Sequence, residues 1–389
     1  MKRVIFLMIV ILLGALYLNY DGDTKKSDNV STSDSSMKGV FVSYIDYASL
    51  KGKEVKEQKN IINEMVNNVS YFGFNTIVLQ VRSFGDAIYE SSYFPESIYV
   101  SYDKDGKVFD ILSYFISVCE SKNIELYAWV NPYRISNTGD VSKVSKSASY
   151  YKWLNTSLIG VYDNGIYFNP AEEDVKNLIV SGVVEIAKNY KVKGILFDDY
   201  FYPNDKIDLD SYNAYDGDLS LNDYRVFNVN DLLKRCYSSI KEANKDVAFG
   251  ISPSGNISNN LKSEYLDVKV ILNDKYLDFI MPQLYYGFYN ESKPYTKTLE
   301  QWSNLNVNNI DLYVALSIYK SGMVDSYAGK GINEWINNSD IIKRQVMSSK
   351  EVKNYKGFAV FRYQHMFEMF DNDNLVKEVS GLREVIKDY

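Results

Sequence analysis

Gly194-Ile195-Leu196-Phe197-Asp198-Asp199-Tyr200-Phe201-Tyr202-Pro203 runs four largely apolar residues straight into two adjacent carboxylates and then into an aromatic, proline-ended segment. The apolar part has the length and composition of a strand buried on both faces, as in a parallel sheet. Two acids at the exit of such a strand are costly unless something nearby uses or satisfies them. The strand is entered through a short link at 190–193, after an amphipathic stretch at 175–190. It is left through a much longer one, from Tyr200 to about Val229.

Working outward, the same unit repeats. Short β-rich runs at 39–45, 76–81, 125–130, 194–199, 247–252, 279–285, 312–319 and 357–363 are separated by helix-length segments. These include amphipathic stretches at 56–72, 109–121, 175–190, 231–243, 261–270 and 339–348. Eight strands alternating with helices predict a parallel (β/α)8 barrel of the TIM type. A doubly wound open sheet shares the local pattern. The count of eight, and the lack of a glycine-rich phosphate loop after the first strand, favour the barrel. Links entering strands are short, as at 71–75, whereas links leaving them are long, at 131–173, 200–229 and 319–339. In a barrel all the long links lie on the C-terminal face, where active sites are built, so that face is where chemistry is expected.

Polar residues gather at those exits: Arg82 with Asp86 after strand two, Trp129, Asn131 and Arg134 after strand three, and Asp198, Asp199 and Tyr200 after strand four. Ser252 follows strand five, Gln283 and Tyr285 follow strand six, and Arg362 and His365 follow strand eight. Singly, each has an ordinary structural explanation; an Asp pair can cap a loop or pair with Arg82 or Arg134. Together, polar exits on one predicted face favour an active site centred on the Asp pair. Two adjacent acids can hold separated proton affinities, one ionised and one protonated, as cleavage of a glycosidic bond requires.

Composition narrows the alternatives. A net charge of −7 argues against nucleic acid as a partner, since no basic surplus exists to neutralise phosphates. The single histidine, His365, excludes a multi-histidine metal site and leaves carboxylates, Tyr, Lys and Arg as the available chemistry. No metal and no cofactor are expected, and a metal-dependent hydrolase or deacetylase is disfavoured. Cys119 and Cys236 fall on amphipathic helices and read as buried structural thiols. The 35 tyrosines accompany abundant Asn, Lys and Ile and read mostly as compositional drift. Asp103-Lys104-Asp105-Gly106 has the look of a turn rather than a calcium loop, because the twelfth position of that pattern falls on Leu112.

The chain opens with Lys2-Arg3 and an uncharged run at 4–18. Residues 1–20 are expected to form a signal anchor, roughly 25 Å long as a helix, with a cleaved signal peptide as the second reading. Either places the remainder outside the cytoplasmic membrane. Residues 21–37 are polar and read as a flexible linker, with the barrel occupying 38–389.

Several motifs in order resemble the bacterial glycoside-hydrolase-like family ten. They are Gly39-Val40-Phe41-Val42-Ser43, Gln80-Val81-Arg82, Gly85-Asp86-Ala87-Ile88-Tyr89, Ala128-Trp129-Val130-Asn131-Pro132-Tyr133-Arg134, Phe168-Asn169-Pro170, the 194–203 stretch, Gly250-Ile251-Ser252-Pro253 and Met281-Pro282-Gln283-Leu284-Tyr285-Tyr286. The resemblance runs from about Gly39 to about Tyr363 and implies a barrel glycosidase, with a relative that acts on peptide-free peptidoglycan strands. That relative is a lipoprotein, whereas this chain lacks the lipid-accepting cysteine. By analogy with substrate-assisted hexosaminidases, Asp198 would orient a 2-acetamido group and Asp199 would transfer the proton. Arg82, Asn131, Asn169, Arg134, Ser252 and Gln283 would contact the sugar, Tyr200, Tyr285 and Trp129 would line or stack on it, and Asp86 is the runner-up second acid. The expected substrate is thus a cell-wall glycan. A membrane-tethered protein that binds glycan without cleaving it is the alternative from another class.

Overall fold

Eight parallel strands close on themselves in the computed structural model, which describes residues 36–370 and 372–389. They are β1 (Met37–Val42), β2 (Thr76–Arg82), β3 (Glu125–Val130), β4 (Gly194–Phe197), β5 (Ala248–Ile251), β6 (Phe279–Ile280), β7 (Asp311–Leu316) and β8 (Tyr355–Val360). Each pairs with its neighbours in sequence, and β1 pairs with both β2 and β8, so no edge is left open. This is the predicted (β/α)8 barrel. The expected anchor at 1–20 and almost all of the linker at 21–37 lie outside the described residues. Of the expected linker, Met37 is already part of β1. Among the described residues no helix is long and apolar enough to cross a membrane.

Period-two alternation sorts the strand residues into two cores. Outward-facing Val40, Val42, Ile77, Leu79, Ile195 and Phe249 pack under the helices. Inward-facing Phe41, Val78, Tyr127, Trp129, Leu196, Phe279, Met281, Ala315 and Ala359 fill the barrel. Large and small residues alternate across that interior. A Cβ at Gly194 would lie 2.7 Å from the Tyr127 ring, and one at Gly250 would lie 2.4 Å from the Phe279 ring. These glycines make room for the aromatic fillers. The filled interior makes the barrel a floor on which the C-terminal loops sit.

The helices include α1 (Val55–Phe72), α2 (Ile111–Ser121), α3 (Glu173–Asn189) and α4 (Leu221–Ala243). The short link after α1 is turned by Gly73, which takes the left-handed conformation at φ 102° that ends helices cheaply. Three expectations need correcting. Helix α4 begins at Leu221, not near 231, because Ser220 caps it by accepting from the Asp223 N–H. The stretch at 261–270 is not one helix. It divides into Ile257–Ser263 and Val268–Asp274, with Tyr265 in a left-handed turn between them. Strand β6 stops at Ile280, since Pro282 has no N–H to donate to a ladder; Gln283 keeps only isolated bridges to Ser254 and Ala315.

The long β3 exit carries an antiparallel three-stranded sheet of Arg134–Ser136, Ile159–Tyr162 and Gly165–Phe168, which its length and polarity alone do not announce. The link between β6 and β7 holds its expected helix at Tyr295–Leu305, and Asp373–Lys387 adds a further helix after β8. Both thiols are buried and unpaired, as expected.

Candidate active site

Inward alternation along β4 carries Gly194, Leu196 and then Asp198 to the barrel axis. Asp198 therefore emerges at the centre of the C-terminal face, 3% exposed. Along β3 the same alternation aims Trp129 inward beside it. The Trp129 indole Nε1 and the Asn131 amide both donate to Asp198 Oδ2, at 3.1 and 3.0 Å. The Tyr200 N–H lies 3.4 Å from Oδ1. One carboxylate oxygen is thus held by two donors and the other is only loosely engaged.

Asp199, one residue on, is half-buried rather than enclosed. The Gln283 amide hydrogen-bonds it from the β6 exit. Gln283 is itself set by donating Nε2 to the Ser252 carbonyl at 3.1 Å. Burial first, and then the neighbouring Asp199, push the Asp198 carboxyl up to about 7, opposed by Arg134 and the Trp129 donor. Burial also raises Asp199, opposed by Gln283 and Arg134. The two titrate as one unit, so near neutrality the site holds both a proton and a negative charge.

Arg134 comes from the small sheet of the β3 exit. Its Nε donates to the Ser83 carbonyl at 3.1 Å, and its guanidinium lies 4.8 Å from the Phe84 ring centre and 5.5 Å from that of Tyr200. That stacking holds a cation against the acid pair at low entropic cost. Tyr200 is 55% exposed and forms a rim. Tyr285 stands over the interior beside Tyr319 and Phe361, with ring centres 6.1 Å away in both cases. Lys320 Nζ donates to its carbonyl.

The structure therefore brings together Asp198, Asp199, Trp129, Asn131, Arg134, Tyr200, Ser252, Gln283 and Tyr285. Their parts differ from expectation in two places. Trp129 is a buried donor to Asp198, in edge contact with Phe41 at 5.6 Å, rather than an open stacking platform. Ser252 is spent beneath Gln283, donating Oγ to the Met281 carbonyl at 2.8 Å.

Three expected residues stand elsewhere. A register shift between Gln80 and Arg82 lets Arg82 leave the inward row and point under the helices. There its guanidinium lies 4.1 Å from the Phe94 ring centre and near Cys236 of α4, 1% exposed. Asp86 lies among Ser97, Tyr99, Tyr47 and Arg82, pushed up by burial and stabilised by Ser97 and backbone N–H groups. Asn169 is fully buried and knits loops together. It donates to the Ser157 carbonyl and Ser211 Oγ, and accepts from the Ala171 N–H. A surface groove of about 850 Å³ lined by Lys59, Asp110, Tyr114, Glu185 and Tyr190 runs along the flank. It contains none of the Asp-pair residues.

Two features of the face were not singled out. Glu264, in the β5 exit, accepts from the Phe201 and Tyr202 backbone N–H groups at 3.1 Å each. Phe361 and Tyr319 complete the aromatic floor under Tyr285. Neither carries a local signal, since an isolated Glu in a polar exit looks like any surface acid.

The family model for glycosyl hydrolase-like 10 matches residues 36–330. Glycosyl hydrolase YngK of Bacillus subtilis (strain 168) is 31% identical over 317 residues, spanning 74% of this chain. That match spans 62% of YngK, under two thirds of its length. Glycosyl hydrolase DigH of Escherichia coli (strain K12) is 25% identical over 392 residues, spanning 88% of this chain and 86% of that protein. The PgaB (BpsB) glycoside hydrolase domain from Bordetella bronchiseptica superposes with a TM-score of 0.56 at 11% identity, covering 90% of this chain and 99% of that one. The catalytic domain of β-amylase from Paenibacillus polymyxa does so at 0.55 and 12%, covering 91% and 99%. At such identities the two structures speak to the barrel alone.

Proposed function

The chain belongs to the glycosyl hydrolase-like 10 family, which sets it among the glycoside hydrolases, and from that premise we propose that it cleaves an N-acetylhexosamine-containing cell-wall glycan outside the cytoplasmic membrane. The observation that carries the mechanism is the unequal setting of two adjacent acids. Asp198 is enclosed and fixed through one oxygen by Trp129 and Asn131, while Asp199 is half-open to the loops.

A fixed acid suits orientation and an accessible one suits proton transfer. As substrate binds, its acetamido N–H donates to the loosely engaged Asp198 Oδ1, which favours the carboxylate form there and leaves the pair's proton on Asp199, and the acetamido oxygen is aimed at the anomeric carbon. Asp199 gives its proton to the leaving glycosidic oxygen as that bond breaks and the acetamido oxygen bonds to carbon. An incoming water then loses a proton to the Asp199 carboxylate and opens the cyclic intermediate, restoring the acetamido group and the Asp199 proton. Arg134 lowers the cost of charge on the pair, and Tyr285 and Tyr200 offer ring faces to the sugar. The outside location rests on Lys2-Arg3 followed by the uncharged run at 4–18.

Peptide-free glycan strands incubated with the protein should release reducing ends, and a thiazoline mimic of the cyclic intermediate should inhibit that release competitively at micromolar or lower concentration. Release without thiazoline inhibition would replace acetamido participation by a direct pair of acids. No release at all would leave a glycan-binding protein.

A further inference from the structure

Toward the β1 and β2 exits lie two aromatic rings that the proposed reaction does not use. Tyr44 is the second residue after β1 and Phe84 the second after β2, and both are half-buried. Their ring centres are 5.1 Å apart with the planes at 65°, an edge-on contact. Phe84 carries the Arg134 guanidinium at 4.8 Å, and that guanidinium lies 5.5 Å from the Tyr200 ring centre. Tyr44, Phe84, Arg134 and Tyr200 thus form an unbroken line of contacts across four consecutive strand exits. It runs from β1 to the β4 exit that holds Asp198 and Asp199.

A contact between two loops does not require that exposure. Three residues on, the same β1 exit sets Tyr47 against Tyr99, also at 5.1 Å, and buries it to 1%. Tyr44 stays half in solvent although its backbone is fixed. Its N–H donates to Gln80 Oε1 at 3.1 Å, and the Tyr47 hydroxyl donates to the Gln80 carbonyl at 2.8 Å. The Ser43 N–H and hydroxyl both donate to Asp46, which Arg362 of the β8 exit holds in an ion pair at 2.7 Å. Single exposed rings on a surface need no explanation, but a rigidly seated pair that runs on to the acids does. An edge-on pair occupies at most one face of each ring, so Tyr44 keeps a face for another partner. Continuity with Asp198 and Asp199 says which partner: further residues of the strand whose sugar lies on the acids. A fixed ring gives a sugar's C–H face apolar contact at little entropic cost.

We propose that Tyr44, seated on Phe84, is a remote sugar subsite, so that the protein binds a run of several sugar residues across the β1 to β4 exits. The substrate is then a strand rather than a short oligosaccharide held at the acids alone. Binding at this distance leaves the reacting bond untouched. It lowers KM for long strands, and with it raises kcat/KM, while kcat stays with the groups at the acids.

The inference rests on the hydrolase reading for its kinetic arm, and a binding arm needs no cleavage. The kinetic arm uses the full-length protein with octasaccharide and tetrasaccharide fractions of peptide-free glycan strands. Tyr44→Leu keeps apolar bulk against Phe84 but has no flat ring, whereas Tyr44→Phe keeps the ring. The ratio of kcat/KM for octasaccharide over tetrasaccharide should fall about tenfold in Tyr44→Leu, through KM, and stay within about twofold in Tyr44→Phe. A purely structural role would slow both substrates alike. An unchanged ratio in Tyr44→Leu, or an equal fall in Tyr44→Phe, would therefore overturn the proposal. The binding arm adds the octasaccharide to Asp199→Asn carrying 13C-labelled tyrosine rings. The Tyr44 ring signals should shift together with the Trp129 indole N–H signal beside the acids. A Tyr44 signal that stays in place at saturating strand, or no binding at all, would also overturn it. If Tyr44→Leu does not fold, this titration decides. If the unmodified protein releases no reducing ends, the hydrolase reading fails, and the same titration in that protein still judges Tyr44.

Discussion

Asp198 is a carboxyl group placed where its neutral form is the comfortable one. Burial and Asp199 raise it from an ordinary 3.8 to about 7, so the folded protein holds a proton there that the unfolded chain has released. In that window the folded state binds more protons than the unfolded one. Stability therefore falls as pH rises from about 4 to about 7, and the penalty is fully present above it. Asp198→Asn removes the penalty while leaving an oxygen to accept from Trp129 and Asn131. Its melting temperature should exceed that of the unmodified protein by about 2 °C or more at pH 8. The gain should vanish near pH 3.5, and glycan cleavage should be lost at every pH. Thermal melts at the two pH values check this, and a variant less stable at both would mean that Asp198 contributes packing rather than strain.

At the scale of elements, the strand exits were legible because alternation and loop length both leave marks in sequence. Trp129, Asp198 and Gln283 are on the axis because they continue the inward rows of Tyr127, Leu196 and Met281. Arg82 is the instructive exception. It continues the row of Val78 and Gln80 by count, yet the register shift after Gln80 turns it outward, and a one-residue irregularity has no compositional mark. The break between Ile257–Ser263 and Val268–Asp274 was hidden in the same way, and it is where Glu264 sits. The small sheet that carries Arg134 is formed by pairings within a long loop, which neither period nor loop length foretells.

The placement of Arg82 can be tested. Neither of its terminal nitrogens finds a hydrogen-bond partner among the described residues, so the buried cation costs more than it contributes. Arg82→Met should leave KM for glycan within about twofold and keep or raise the melting temperature. A tenfold rise in KM would put Arg82 back in contact with substrate.

At the scale of the whole molecule, a closed barrel filled with Tyr127, Trp129, Phe279 and Met281 offers no passage through its centre. The proposed chemistry therefore belongs to the loops on one face. A net charge of −7 leaves no basic surplus to meet a polyanion. In intact cells, the full-length chain should fractionate with membranes, and its barrel should be cleaved by protease added outside. Recovery from the cytosol would contradict the proposed topology.

In the proposed reaction Asp199 carries the proton for glycosidic cleavage at a barrel face organised around Asp198. Its most direct test is the steady-state release of reducing ends from peptide-free glycan strands by the unmodified protein and by Asp199→Asn. Turnover should fall about a thousandfold in the variant, with unchanged folding and melting behaviour. Turnover by Asp199→Asn within a few-fold of the unmodified protein would remove Asp199 from the mechanism.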